Sequence, residues 1–203
     1  MTHERLRDYL LNDPAAEAPA LPRPESLPRR LISLGVKPDD LVAIALPNGI
    51  DHHISSFAAW RAGATPCILP TKLPGHELAQ VIELANPAML ICDGEAPEGV
   101  TNLPPGDDED ADSSLPSDLA ASHWKAVTSG GSTGRPKLIV DHAPARFGPR
   151  LNGLIDLVRM PRNGVILNPG PLYHNAPFLF TAVALLAGSR VIGHNSRSLV
   201  TMS

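Results

Sequence analysis

Apolar and polar positions along the chain alternate between two periods. "DLVAIAL" (40–46) is a β-branched apolar run broken by "PNG", which predicts a strand. "IDHHISSFAAWRAG" (50–63) comes next at helical period, with Ile50, Ile54, Phe57 and Ala58 on one face and Gly63 at its end. "ATPCILP" predicts a second strand and "AMLICD" a third. Between them "GHELAQVIELANP" places Leu78, Val81, Ile82 and Ala85 at helical spacing and stops at Asn86-Pro87. Further on, "HWKAV" and "KLIVDH" read as strands flanking a glycine-rich stretch, and "RLNGLIDLVRM" reads as a helix. "GVILNPGP" is strand then turn, "NAPFLFTAVALLAG" a mostly buried helix and "SRVIG" a last strand. Strands alternating with helices imply parallel strands joined by right-handed crossovers. Near-continuous apolar strands imply that both sheet faces are covered. The expected class is α/β, a mostly parallel sheet flanked by helices.

Composition divides the chain into four. Residues 1–28 form a proline-rich segment, of which 12–28 is expected to be loop or extended coil. Residues 29–103 carry a first α/β subdomain. Residues 104–122, with "PPGDDEDADSSLPSD", are expected to be an acidic linker or loop. The aspartates there lack a glycine at the right place and the terminal glutamate of a calcium loop. Residues 123–203 carry the glycine-rich stretch and a partial α/β segment.

The chain has 203 residues, 43% hydrophobic and 19% charged, so a real core is expected. A net charge of −4 without any run of Lys and Arg argues against nucleic-acid binding. Cys67 and Cys92 sit in apolar strands outside any CxxC, so buried reduced thiols are expected. No apolar run approaches the ~20 residues of a membrane helix, and the N-terminus lacks a signal-peptide core. A soluble cytoplasmic protein without a membrane span is expected.

The chemistry concentrates in "VTSGGSTGRPKLIV" (127–140). Gly130-Gly131-Ser132-Thr133-Gly134 satisfies the G-x-S-x-G of a hydrolase elbow, with His142, His174 and His194 downstream as bases. An elbow must run straight into a helix, whereas Pro136 and the adjoining "LIV" favour a strand. A Walker loop needs lysine directly after its last glycine, and Arg135-Pro136 intervene. The remaining reading is a phosphate site. Gly130, Gly131 and Gly134 free backbone N–H groups to face an anion, Ser129, Ser132 and Thr133 add hydroxyls, and Lys137 adds a cation with Arg135 beside it. That chemistry points to a nucleoside triphosphate.

"TSGGSTGRPK" resembles the phosphate-loop signature of the adenylate-forming, AMP-binding superfamily, which includes acyl-CoA synthetases, peptide-synthetase adenylation domains and luciferases. The chain has an extra glycine before the hydroxyl pair and Leu138 where glycine commonly succeeds the lysine. "LISLGVKPDDLVAIALPNGIDHHISSFAAWRAGATPCILP" is similar to the family's opening segment, with Asp39-Asp40 in place of the common Gly-Asp pair. "PGPLYHNAPF" resembles a later family segment. The resemblance leans toward the fatty-acid-CoA ligase branch, and toward a fatty, cyclic or steroid-like acid over an amino acid.

The resemblance implies a reaction. ATP and a small-molecule carboxylic acid give an acyl-adenylate and pyrophosphate, and coenzyme A then displaces AMP to form a thioester, with Mg²⁺ sharing the phosphate charge. It implies that Thr128, Ser129, Gly130, Gly131, Ser132, Thr133, Gly134 and Lys137 hold the ATP phosphates, with Lys137 catalytic. It places His174 near the junction of the acyl pocket and the thiol tunnel as the second catalytic candidate, with Asn175 beside it. By position alone His174 reads as a residue capping the helix that starts near Asn175. Tyr173 and Phe178 read equally as pocket wall or core. His52, His53, His123, His142 and His194 read as ordinary surface or core residues, and no zinc site is expected.

Family members are over twice this length, and segments for adenine, ribose, the hinge and the C-terminal lysine have no counterpart here. The chain is therefore expected to be the N-terminal piece of an acyl-CoA synthetase, inactive alone and completed by the C-terminal portion or a partner chain, with homodimerisation left open. The alternatives are a non-catalytic or split nucleotide-binding subunit, which predicts an exposed apolar surface, and a serine hydrolase using Ser132.

Overall fold

The computed structural model describes residues 26–106, 115, 121–129, 136–145, 149–194 and 199–202. In chain order the elements are α1 (Ser26–Ser33), β1 (Leu41–Ala45), α2 (Ile50–Arg61), β2 (Thr65–Ile68), α3 (Gly75–Ala85), β3 (Met89–Cys92), β4 (Ala126–Ser129) and β5 (Lys137–Val140). They continue with α4 (Pro149–Leu157), β6 (Val165–Asn168), α5 (Asn175–Leu186), β7 (Arg190–His194) and β8 (Leu199–Met202). One sheet has the order β3-β1-β2-β4-β5 and a second has β6-β7-β8. β1 pairs in parallel with β2 and β3, β2 with β4, and β6 with β7. The sheet therefore runs on across the acidic tract, since β4 comes from the residues after it.

Three features depart from expectation. Ser26–Pro28 open a helix where the proline-rich segment was expected to stay coil. Pro28 lies in its first turn, where a missing N–H removes no helical bond. Two pairs, β4–β5 and β7–β8, are antiparallel, because β5 and β8 return beside the preceding strand without a crossover helix. β8 also extends the second sheet beyond "SRVIG".

The strands alternate between two cores, which is why they read as continuously apolar. Val42, Ile44, Ile68, Met89 and Ile91 face α1, α2 and α5. Ala43, Cys67, Leu69, Leu90, Cys92 and Ala126 face α3. Both cysteines are buried and free, and burial pushes the Cys67 thiol up to about 12. The expected stops hold. Gly63 (φ +81) lets Ala64 N donate to Ala59 O at 2.8 Å after α2, and Asn86 takes a left-handed conformation (φ 44) after α3.

α2 is less amphipathic than its sequence suggests. Ile54 and Phe57 pack on the core as expected, yet His52, His53, Ser55 and Ser56 are buried as well. The helix lies between the sheet and α5, so it has no solvent face of the usual width. At the turn before β1, Asp39 occupies a left-handed conformation (φ 67) that residues other than glycine seldom adopt. Its carboxylate accepts from Ser122 N at 2.6 Å and Ser122 Oγ at 2.9 Å, tying this turn to the residues preceding β4.

Candidate active site

The glycine-rich stretch closes a hairpin. Ala126 pairs with Val140, Val127 with Ile139, Thr128 with Leu138 and Ser129 with Lys137. Residues 130–136 are thus the connection, with Ser129 and Lys137 opposite each other at its mouth. Lys137 is exposed. Gly130, Gly131, Ser132, Thr133, Gly134 and Arg135 lie outside the described residues. Pro136 leads into a strand, and a nucleophile elbow needs a helix there, so the strand–turn–helix context for Ser132 is missing.

The open end of the hairpin is locked by a pair that sequence reasoning overlooked. Asp141 N donates to Lys125 O at 2.8 Å, and Lys125 Nζ lies 3.3 Å from Asp141 Oδ2. Lys125 is almost fully buried, which lowers its pKa, while Asp141 beside it opposes that shift. Removing Asp141 would strand a buried ammonium, the costly way to break such a pair. His123 and His142, expected to be ordinary surface or core residues, meet at this same end with ring centroids 5.3 Å apart. No spacing rule links residues on the two sides of a loop, so only the hairpin register reveals either pair.

His174 and Asn175 lie at the start of α5. His174 is the N-cap residue, with extended backbone (φ −91, ψ 145), but its imidazole makes no capping hydrogen bond. Among the described residues the ring meets Tyr173 at 4.6 Å and is otherwise exposed, as is Asn175. No hydrogen bond joins His174 to the hairpin among the described residues. The path to it is nonetheless tightly specified. After β6, Asn168 Oδ1 accepts from Gly170 N at 3.2 Å. An added Cβ on Gly170 would sit 2.6 Å from Pro177 Cγ in the first turn of α5, so only glycine fits. Phe178, one turn into α5, is fully buried and belongs to the core rather than to an open pocket wall.

Rings link the two candidate regions. Phe178 packs 5.9 Å from His52, 6.1 Å from His53 and 6.0 Å from Trp60. Trp60 stacks on Trp124 at 4.3 Å and its Nε1 donates to Trp124 O at 2.6 Å, directly before the hairpin base. His52 and His53 are buried, and among the described residues none of their four ring nitrogens has a hydrogen-bond partner. Burial pulls His52 down to about 4 and His53 to about 3, the latter pushed further by His52, so both are neutral at pH 7.

No helix among the described residues is long and apolar enough to cross a membrane, and none of their His, Cys, Asp and Glu side chains cluster in threes that could hold a metal. Among curated relatives, the dapdiamide synthesis protein DdaD of Enterobacter agglomerans is 26% identical over 156 residues, covering 73% of this chain and 24% of its own length. The 4-chlorobenzoate–CoA ligase of an Arthrobacter species is 41% identical over 66 residues, covering 32% of this chain and 13% of the ligase. Nonribosomal peptide synthases match as well. Among solved structures, the N-terminal subdomain of Klebsiella oxytoca NpsA in complex with 3-hydroxybenzoyl-AMSN superposes with a TM-score of 0.67 at 20% identity. That superposition covers 86% of this chain and 46% of the NpsA chain. The chain thus spans about a quarter of DdaD and less than half of the NpsA chain. The α/β architecture is that of the N-terminal domain of adenylate-forming enzymes. The AMP-binding enzyme family model matches residues 23–200, hairpin and α5 included, and the chain belongs to that family.

Proposed function

We propose that this chain supplies the phosphate-holding hairpin and part of the acyl site of an ATP-dependent acid–thiol ligase of the acyl-CoA synthetase type. The observation that carries the proposal is the β4–β5 register, which sets Ser129 opposite Lys137 across a connection spelled with glycines and hydroxyls. Backbone N–H groups and hydroxyls of residues 128–134 would hold the β- and γ-phosphates of ATP. Lys137 would stabilise the charge that develops as pyrophosphate leaves. Mg²⁺ would enter with the nucleotide, because that ion is usually held by substrate phosphates and one or two carboxylates rather than by a protein cage. His174 and Asn175 would line the junction where the acyl group meets the thiol of coenzyme A.

Residues for adenine, ribose and the second half-reaction would come from the C-terminal portion of the enzyme or from a partner chain. Val165 and Leu167 on the edge strand β6, and Leu157 on α4, are exposed apolar residues that such a segment would cover. The similarity to a chlorobenzoate–CoA ligase supports CoA as acceptor and adds aromatic acids to the fatty and alicyclic candidates. A second reading, adenylation for peptide synthesis without CoA, draws on the peptide-synthase relatives.

A panel of fatty, alicyclic, aromatic and amino acids, assayed for AMP release by the protein at its natural length with and without CoA, separates the two. The ligase reading predicts CoA-dependent turnover to an acyl-CoA for one acid class. Adenylate formation that CoA neither accelerates nor converts to thioester would exclude it in favour of the second.

A further inference from the structure

The turn that presents His174 is held from a distance by a single carboxamide. Asn48 comes after β1, in the first sheet, and the turn comes after β6, in the second. Asn48 Nδ2 donates to Gly170 O at 3.0 Å across 122 positions, and Leu172 N donates to Asn48 Oδ1 at 2.8 Å across 124. Both ends of the amide are thus used on one short segment, the NH2 donating and the oxygen accepting. Gly170 O also accepts from Asn168 Nδ2 at 3.0 Å, so two carboxamides converge on one carbonyl.

The remaining freedom of the segment is small. Gly170 is backed against Pro177, Leu172 is buried, and His174 N donates to Pro171 O at 3.1 Å. His174 therefore has a fixed backbone, while among the described residues no hydrogen bond holds its imidazole. Whatever sets the place of that ring acts through the turn. The two contacts from Asn48 bracket Pro171, directly before the Leu172–His174 stretch.

We infer that Asn48 is a positioning residue for His174, its carboxamide locking the 168–174 turn so that the imidazole is presented at one place on the start of α5. The inference rests on the proposed role of His174 at the acyl–thiol junction. The two hydrogen bonds from Asn48 to the turn both go to backbone groups, Gly170 O and Leu172 N. Asn48→Ala removes both contacts, whereas Asn48→Asp keeps the acceptor for Leu172 N and loses the donor to Gly170 O.

Two measurements test this. Amide exchange and imidazole signals, read by NMR on the protein at its natural length, report the turn itself. In Asn48→Ala, the Leu172 amide should exchange at least about tenfold faster and the His174 ring signals should move, while β1 and β2 amides keep their protection. Acyl transfer at natural protein length reports the consequence. Asn48→Ala should lower kcat about tenfold with the KM for ATP unchanged, Asn48→Asp should fall between, and the effect should vanish in a His174→Ala background. Unchanged Leu172 exchange and His174 signals in Asn48→Ala would overturn the inference. A full effect of Asn48→Ala in the His174→Ala background would overturn it too. If His174→Ala alone leaves acyl transfer intact, the role of His174 falls and takes the catalytic half with it, and the exchange data still decide whether Asn48 locks the turn.

Discussion

Taking the protein from pH 7.5 to pH 5 is expected to cost its fold roughly 4 kcal/mol, with His52 and His53 as the source. Both imidazoles are buried beside Phe178, without hydrogen-bond partners among the described residues, and burial lowers them to about 4 and about 3. In the unfolded chain each titrates near 6.5. The unfolded state therefore takes up protons as pH falls below that value, while the folded state does not. The stability contribution is complete above about 6.5, declines as pH drops, and levels off once the folded histidines themselves protonate near 4 and 3. At pH 5 each histidine accounts for about 2 kcal/mol.

Urea unfolding at the two pH values measures the difference directly. The double variant His52→Leu with His53→Phe should lose most of it, and should be neutral or stabilising at pH 7.5, because an unpaired buried polar group costs about 1–3 kcal/mol. Equal stability at the two pH values in the parent protein would mean that these rings are not buried as described.

Phe178→Ala is expected to destabilise the fold by about 3–5 kcal/mol, and to lower Tm by roughly 10 °C or more. Phe178 is fully buried where α5 meets α2, touching His52, His53 and Trp60. Its ring fills the contact between the helix that begins at His174 and the first sheet, and an alanine would leave a cavity that a packed interface cannot close. Phe178→Leu should cost appreciably less, because it retains much of the volume. Thermal unfolding monitored by circular dichroism distinguishes them. A Phe178→Ala protein as stable as its parent would show that α5 does not depend on this contact.

Much of this fold was legible because its determinants are local. The runs at β1, β2 and β3, the stop at Asn86-Pro87 and the glycine at 63 act through neighbouring backbone geometry, and each element lies where its period placed it. The spelling of the 127–140 stretch was legible for the same reason, since glycines, hydroxyls and a lysine in nine residues carry their chemistry with them. The features that escaped depend on distant pairing. The burial of His52 and His53 results from α5 arriving across more than a hundred residues of chain, and no periodicity in α2 reports it. Asn48 looked like part of a strand-breaking "PNG", yet its partners lie 122 and 124 positions away. Lys125 and Asp141 face each other only once β5 turns back on β4. The helix at Ser26–Ser33 was hidden by Pro28, a residue that disrupts a helix interior but not its first turn.

In the proposed function, the hairpin closed by Ser129 and Lys137 holds ATP while a carboxylate is activated. Carboxylate-dependent exchange of labelled pyrophosphate into ATP, by the protein at its natural length with and without Lys137→Met, tests it most directly. The expected result is exchange that requires the acid and falls about 10²–10³-fold in the variant, the loss typical of removing one group that stabilises developing charge. Acid-dependent exchange at the parent rate in Lys137→Met would contradict it.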